Sequence, residues 1–146
     1  MNRSKTLAAL ALCACTLFVS TARAARAADA SGVKVDVLMQ STTSWDGVPY
    51  GAYPTGQTEL TMLRITIAPH TTLPWHTHPM PNAAYVMSGE LTVEKAEGGL
   101  KKLLVAGDVL PETVNSTHRG YTGEQPVVLI MFYAGAQRVP LSRPAE

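Results

Sequence analysis

Cysteine is nearly absent from this sequence. The 146-residue chain has only Cys13 and Cys15, both close to its N-terminus, so the rest of the chain offers no thiol for a disulfide, a nucleophile or a metal ligand. Charge is also scarce, because charged residues make up 16% of the chain and the formal net charge is +1, without a basic stripe. These absences exclude a disulfide-stabilised fold and thiol catalysis in the chain after Cys15. They also leave no cluster of basic residues that would indicate nucleic-acid binding.

An apolar run long enough to anchor the chain in a membrane is missing as well. The run at residues 7–19 falls short of the roughly 20 residues that a spanning helix needs. It follows Arg3 and Lys5 and precedes a small-x-small cleavage pattern at 22–24, which is typical of a secretory signal peptide. We therefore expect residues 1–24 to be removed by cleavage between about residues 24 and 28. The mature protein, with a net charge of about −2, would then be periplasmic or secreted and have no stable membrane anchor.

Helical periodicity over ten or more residues is also lacking, and short runs rich in β-branched and apolar residues alternate with turn signals instead. We predict strands at 33–39, 60–67, 83–89, 90–96, 100–105 and 127–133. Recurring glycine and proline predict a long loop at 41–57, and the tail at 140–146 is predicted to have no regular structure. The pattern predicts a single all-β domain over residues 33–139, built as a sandwich or barrel.

Three histidines carry the chemistry that the sequence suggests. His76 and His78 stand two positions apart, so their rings share a face on an extended segment but would be about 200° apart on a helix. His118 follows 40 residues later and could meet the pair across a barrel. Converging neutral imidazoles bind divalent transition metals such as Fe, Zn, Mn, Ni or Cu. An isolated pair of this kind also occurs as two solvated side chains, and the pair alone leaves that interpretation open.

The residues around the pair resemble the first motif of the cupin superfamily. In that motif HxH is followed by three or four residues, a glutamate, six further residues and a glycine. Here the three residues after His78 lead to Asn82, and six further residues lead to Gly89. The spacing agrees with the motif, but asparagine stands where the family has its acidic ligand.

The residues before His118 resemble the second cupin motif. Gly107 and His118 keep its spacing, whereas Thr113 and Asn115 replace its proline and its second glycine. Seventeen residues separate the two motifs, which is similar to single-domain bacterial cupins. The resemblance covers roughly residues 60–133 and implies a double-stranded β-helix, or jelly-roll, barrel.

The resemblance implies metal ligation by His76, His78 and His118, but it implies none for Asn82. Three hypotheses for Asn82 stay open: a weak ligand through its amide oxygen, a hydrogen-bond donor to bound water or substrate, or a leftover of a degenerate site without metal. Glu112, the acid nearest to His118 in sequence, could instead replace the missing carboxylate.

Three neutral ligands leave a divalent metal with its full positive charge, which favours an anionic or oxygen-rich small molecule as the partner. The sequence thus predicts a metalloenzyme (an oxygenase, isomerase or lyase) or, as the alternative, a non-catalytic binder of a metal or small ligand. Because the alternating strand predicted at 33–39 has few obvious partners, we also expect a homodimer.

Overall fold

The structure is a computed structural model and describes residues 32–145. The predicted signal peptide therefore lies outside the described residues. Residues 32–36 belong to a separate unit, in which Lys34 Nζ and Asp36 Oδ2 lie 2.9 Å apart. Residues 37–145 belong to the unit that contains all the strands given below. Among the described residues there is no helix with the length and apolar character needed to cross a membrane.

Nine strands and no helix make up the described part of the chain, which confirms the all-β prediction. The strands are β1 (Thr58–Ile67), β2 (His76–Thr77), β3 (Asn82–Ser88), β4 (Glu90–Lys95), β5 (Lys101–Val105), β6 (Val109–Pro111), β7 (His118–Thr122), β8 (Val127–Ala136) and β9 (Arg143–Pro144). One antiparallel sheet has the order β1-β8-β3-β6, and the other has the order β5-β4-β7-β2-β9.

An apolar core lies on the inward faces of the strands. Ala84 and Val86 alternate with less buried residues along β3, and Leu91 and Val93 do the same along β4. Full burial of one such aliphatic side chain contributes about 1.5–3 kcal/mol relative to exposure, so this alternation specifies which face of each strand points inward. Along β7 the inward positions begin with a histidine, His118, and the polar site is therefore built into the core.

Five of the six predicted strands are confirmed within a few residues, as β1, β3, β4, β5 and β8. The long loop predicted at 41–57 forms no strand and contains one isolated bridge, between Thr43 and Pro49. The strand predicted at 33–39 is wrong, because no part of that segment is a strand and Val37 and Leu38 are 74% and 67% exposed. Alternation favours an extended segment, but a strand also needs a neighbour to pair with.

The tail is more regular than predicted. Residues Arg143 and Pro144 form β9, which pairs with His76 and Thr77 of β2. Proline cannot donate to a sheet ladder and is tolerated on an edge strand, and β9 is the edge of its sheet. The end of the chain thus supports the segment that carries the first two histidines.

Candidate metal centre

Strands β2 and β7 bring the three histidines together. His76 begins β2 and pairs in register with His118, the first residue of β7. His78 follows β2, and its ring centre lies 5.0 Å from that of His76 and 5.1 Å from that of His118. One potential ligand nitrogen from each ring lies within 4.8 Å of the other two. The prediction that these residues converge is confirmed, whereas metal binding itself stays a prediction.

A backbone carbonyl fixes the proton on each of the three rings. The Nδ1–oxygen distances are 2.9 Å for His76 and Pro74, 2.7 Å for His78 and Leu141, and 2.9 Å for His118 and Ser116. Because a carbonyl oxygen can only accept a hydrogen bond, each Nδ1 is the donor, and each neutral ring keeps its lone pair on Nε2. Hydrogen bonds of this kind orient histidine ligands in metal sites.

Burial also keeps the three rings in the form that binds metal. Desolvation is the largest cause of a lowered pKa at His76, His78 and His118, and it lowers the pKa of His78 to about 4. The rings are therefore neutral near pH 7, and no proton has to leave Nε2 before a metal binds.

Glu112, which the sequence offered as an alternative source of a carboxylate, lies against the cluster. Its side chain is only 7% exposed, and its Oε2 atom is 3.4 Å from His118 Nε2. Neither atom has a hydrogen-bond partner among the described residues. Burial raises the pKa of Glu112 to about 7, because desolvation disfavours its charged form. A cation at this point would satisfy both atoms.

Asn82 is buried on the inward face of β3. Its Nδ2 atom donates a hydrogen bond to the Met80 carbonyl oxygen at 3.2 Å. Its Oδ1 atom is buried and has no hydrogen-bond partner within the described part of the chain. Asn82 lines a groove beside Tyr50 and Phe132 rather than the cavity next to the histidines.

A cavity of about 70 Å³ adjoins the three histidines. Besides the histidines and Glu112, Tyr133 is its polar lining residue, and its ring centre lies 5.6 Å from that of His78. Burial raises the pKa of Tyr133 to about 12, so the phenol keeps its proton at neutral pH. The other lining residues are Ile65, Ile67, Leu73, Leu91, Val93, Gly120, Leu129 and Met131. No lysine or arginine of residues 32–145 lines this cavity.

Sequence reasoning did not select Tyr133 or the carbonyl of Leu141. Tyr133 shares the buried face of β8 with Leu129 and Met131, at every second position, and this period of two was the available signal that it faces the core. The Leu141 carbonyl had no comparable signal, because a backbone acceptor 63 residues from its histidine depends on the complete fold.

Comparison with known proteins adds to this description. The family model "Cupin domain" matches residues 63–133, and a search of curated proteins gave no match. A DMSP lyase from Ruegeria pomeroyi is 18% identical with a TM-score of 0.53, over 68% of this chain and 47% of that one. An oxalate decarboxylase from Lactobacillus farciminis is 18% identical with a TM-score of 0.51, over 60% of this chain and 27% of that one.

A third similar structure is matched over most of its own length. It is an uncharacterized protein with a double-stranded β-helix domain from Klebsiella pneumoniae, 20% identical with a TM-score of 0.52, over 67% of this chain and 89% of that one. By contrast, this chain spans less than half the length of the lyase and of the decarboxylase described above. At these identities the likeness concerns the fold. Together with the family match, it shows that this protein carries a small cupin domain, an all-β double-stranded β-helix.

Proposed function

We propose that this protein is an exported cupin that holds one divalent transition metal and acts there on a small anionic molecule. The ligands would be His76, His78 and His118. The observation that carries the proposal is that three backbone carbonyls bind the three Nδ1 protons and leave three Nε2 lone pairs at one place in the core. The residues fit a metal, because His118 Nε2 is buried without a hydrogen-bond partner among the described residues.

The three imidazole ligands limit which metal ions the site could bind, but they do not identify one ion. Imidazole suits Fe, Zn, Mn, Ni and Cu, and no thiolate is present among residues 32–145 to favour a softer ion. A metal held here would supply Lewis-acid chemistry, which polarises an oxygen atom of a bound molecule.

The cavity sets the size and polarity of the molecule that would bind. Its volume of about 70 Å³ suits a molecule of a few non-hydrogen atoms, and its walls are largely aliphatic. Because no basic side chain of the described residues lines it, the negative charge of a ligand would be held at the metal. The protonated hydroxyl of Tyr133 can donate a hydrogen bond to the bound molecule, while the aliphatic walls exclude water.

Among oxygenation, isomerisation and lyase chemistry, we favour a lyase reaction. Two of the similar structures are named as a lyase and a decarboxylase, and the second is a formate complex. Such reactions suit a site that binds a small carboxylate in a largely apolar cavity. Non-catalytic binding of a metal or a small ligand is the alternative that the experiment below separates from this proposal.

The test uses the full chain, expressed in a host that processes signal peptides. The protein is stripped with a chelator and reloaded separately with Fe²⁺, Zn²⁺, Mn²⁺, Ni²⁺ and Cu²⁺. We expect one bound metal per chain by elemental analysis, metal-dependent binding and turnover of small carboxylates, with oxalate as the first probe, and an intact mass that lacks residues 1–24. Failure to bind any of the five metals would contradict the proposal. Metal binding without turnover of any carboxylate would indicate a non-catalytic protein.

We also propose that the protein forms a homodimer through the outward face of the β1-β8-β3-β6 sheet. Met62 and Phe132 are paired in register on this face and are 68% and 39% exposed, and Leu60 beside them is 65% exposed. Contiguous exposed apolar side chains of this kind are typical of interaction sites.

The expected result for Met62→Glu is a monomer, because dimerisation would bury an unpaired charge. Leu103→Glu on β5 of the other sheet is the matched control, since Leu103 is 57% exposed, and it should remain dimeric. Light scattering at micromolar concentration measures the mass. A wild-type monomer, or equal effects of the two substitutions, would argue against this interface.

A further inference from the structure

Two buried polar atoms beside the cavity face each other without a hydrogen-bond partner among the described residues. Glu112 Oε2 and His118 Nε2 are 3.4 Å apart, and their side chains are 7% and 2% exposed. Native proteins rarely leave a buried polar atom unpaired, because the atom has lost its hydrogen bonds to water without gaining others. A third group between them, either a water molecule or a cation, would satisfy the oxygen atom and the imidazole lone pair together.

The separation of these atoms favours a metal over a direct hydrogen bond. Because His118 Nε2 carries only a lone pair, a direct hydrogen bond would need a protonated Glu112 as its donor, and O–H donors normally lie about 2.5–3.0 Å from their acceptors, which is shorter than the 3.4 Å found here. Moreover, His118 Nδ1 already holds the proton of the neutral ring, because it donates to the Ser116 carbonyl. Two ligands bound tetrahedrally at 2.0–2.1 Å from one ion lie about 3.4 Å apart. The geometry points to Glu112 as the fourth protein ligand of the metal centre, an assignment that rests on the three-histidine site proposed above. Its carboxylate is close to His118 but lies outside the group of histidine nitrogens within 4.8 Å of one another, so it would move toward the ion when the metal binds.

The backbone of Glu112 is held firmly enough for such a role. Its N–H donates to the Asn82 carbonyl at 3.0 Å, and its own carbonyl accepts a hydrogen bond from the Tyr50 hydroxyl at 2.8 Å. The next residue, Thr113, places its hydroxyl 3.0 Å from His118 Nδ1. Glu112 and His118 are thus positioned by one short segment, as a ligand pair with a fixed geometry requires.

The same contacts explain why asparagine is tolerated at position 82. Asn82 begins β3, and Glu112 directly follows β6, the neighbouring strand in the same sheet. Because the Glu112 N–H bonds the Asn82 carbonyl, the two residues are neighbours across this ladder. A carboxylate can therefore reach the interior from either strand. In this chain the acid stands after β6, and the Asn82 amide turns to the Met80 carbonyl.

The assignment changes the charge of the site. Three imidazoles add no charge to a divalent ion, whereas one carboxylate reduces the net charge of the ion and its ligands from +2 to +1. An anionic molecule would still be attracted, but less strongly than in the three-histidine site expected from the sequence.

The experiment compares the metal affinity of Glu112→Gln and Asn82→Ala with that of the wild type. Zn²⁺ is titrated against a competing chelator at fixed pH, and visible absorption of the Co²⁺ forms reports the ligand shell. Glu112→Gln keeps the shape of the side chain but loses its charge, and we expect affinity to fall by about 100-fold and the Co²⁺ spectrum to change. Asn82→Ala should stay within about 3-fold of the wild type and keep the spectrum, because the Asn82 amide donates to the Met80 carbonyl and does not line the cavity beside the histidines.

Glu112→Asp is a second variant that keeps the charge on a shorter side chain. We expect its metal affinity to lie between that of the wild type and that of Glu112→Gln. If Glu112→Gln changes only the stability of the metal-free protein, Glu112 has a structural role and the assignment is overturned. Equal losses in Glu112→Gln and Asn82→Ala would also overturn it, because Asn82 would then be an equal ligand. A wild-type protein that binds no Zn²⁺ or Co²⁺ would instead show that the three-histidine site itself is wrong.

Discussion

Replacement of His118 with alanine is expected to lower the affinity for a divalent metal by at least about 100-fold. Loss of a residue that merely orients a metal ligand costs about 10–100-fold, and loss of the ligand itself should exceed that range. The His118 ring centre lies 4.5 Å from that of His76 and 5.1 Å from that of His78, so His118 is in contact with both other members of the cluster. The remaining ligands, two imidazoles and the Glu112 carboxylate assigned above, would hold an exchangeable ion less tightly than the complete set.

Thermal unfolding with and without metal measures this loss independently of a chelator. A metal present at 1,000 times its dissociation constant stabilises the folded state by about 4.1 kcal/mol. A variant that binds 100-fold more weakly gains only about 1.4 kcal/mol at the same metal concentration. His118→Ala should therefore show about one third of the wild-type stabilisation by metal. Because the substitution also removes a buried ring, each variant is compared with its own metal-free form.

The fourth histidine provides the control for this prediction. The side chain of His70 is 65% exposed, and its Nε2 atom lies 3.3 Å from Glu124 Oε2. It does not belong to the cluster of His76, His78 and His118. His70→Ala should keep the full stabilisation by metal, which separates loss of a ligand from loss of any histidine. If His118→Ala binds metal as tightly as the wild type, the proposed centre is wrong.

The convergence of the histidines could be predicted because it depends on local geometry. Residues two apart on an extended segment share a face, and this rule placed His76 and His78 together without knowledge of the fold. The position of His118 required in addition the motif spacing, which the register between His76 and His118 confirms. Periodicity and spacing therefore account for the core of the candidate site.

The supporting contacts could not be predicted in the same way. The Leu141 carbonyl that binds His78 Nδ1 comes from the tail, whose prolines gave no local indication of a strand. Glu112 could be named only as the nearest acid, because its approach to His118 depends on the pairing of β3 with β6. Such contacts join segments distant in sequence, and a local pattern carries no information about which distant segments meet.

The largest expected effect on stability is that of Gly89→Ala at the link between the two sheets. Gly89 stands between β3 of one sheet and β4 of the other and has a φ of +80°. A Cβ atom there would lie 2.2 Å from the Pro126 carbonyl oxygen and 3.1 Å from Val127 Cα. Because both contacts are with backbone at the start of β8, rotation of a side chain cannot relieve them. We expect a loss of about 3 kcal/mol or more, which lowers the melting temperature by roughly 10–20 °C.

Gly98→Ala separates the cost of the backbone conformation from the cost of the clash. Gly98 has a φ of +73°, similar to that of Gly89, but a Cβ atom there would meet nothing within 4 Å. The left-handed conformation costs about 1–2 kcal/mol in both variants, and both share the gain from a less flexible unfolded chain. Urea unfolding of the metal-free proteins should therefore rank wild type above Gly98→Ala, and Gly98→Ala well above Gly89→Ala. Equal losses of stability in the two variants would mean that the backbone at Pro126 can move away from the new Cβ atom. The positive φ of Gly89, and not its close approach to β8, would then be the reason that a side chain is disfavoured there.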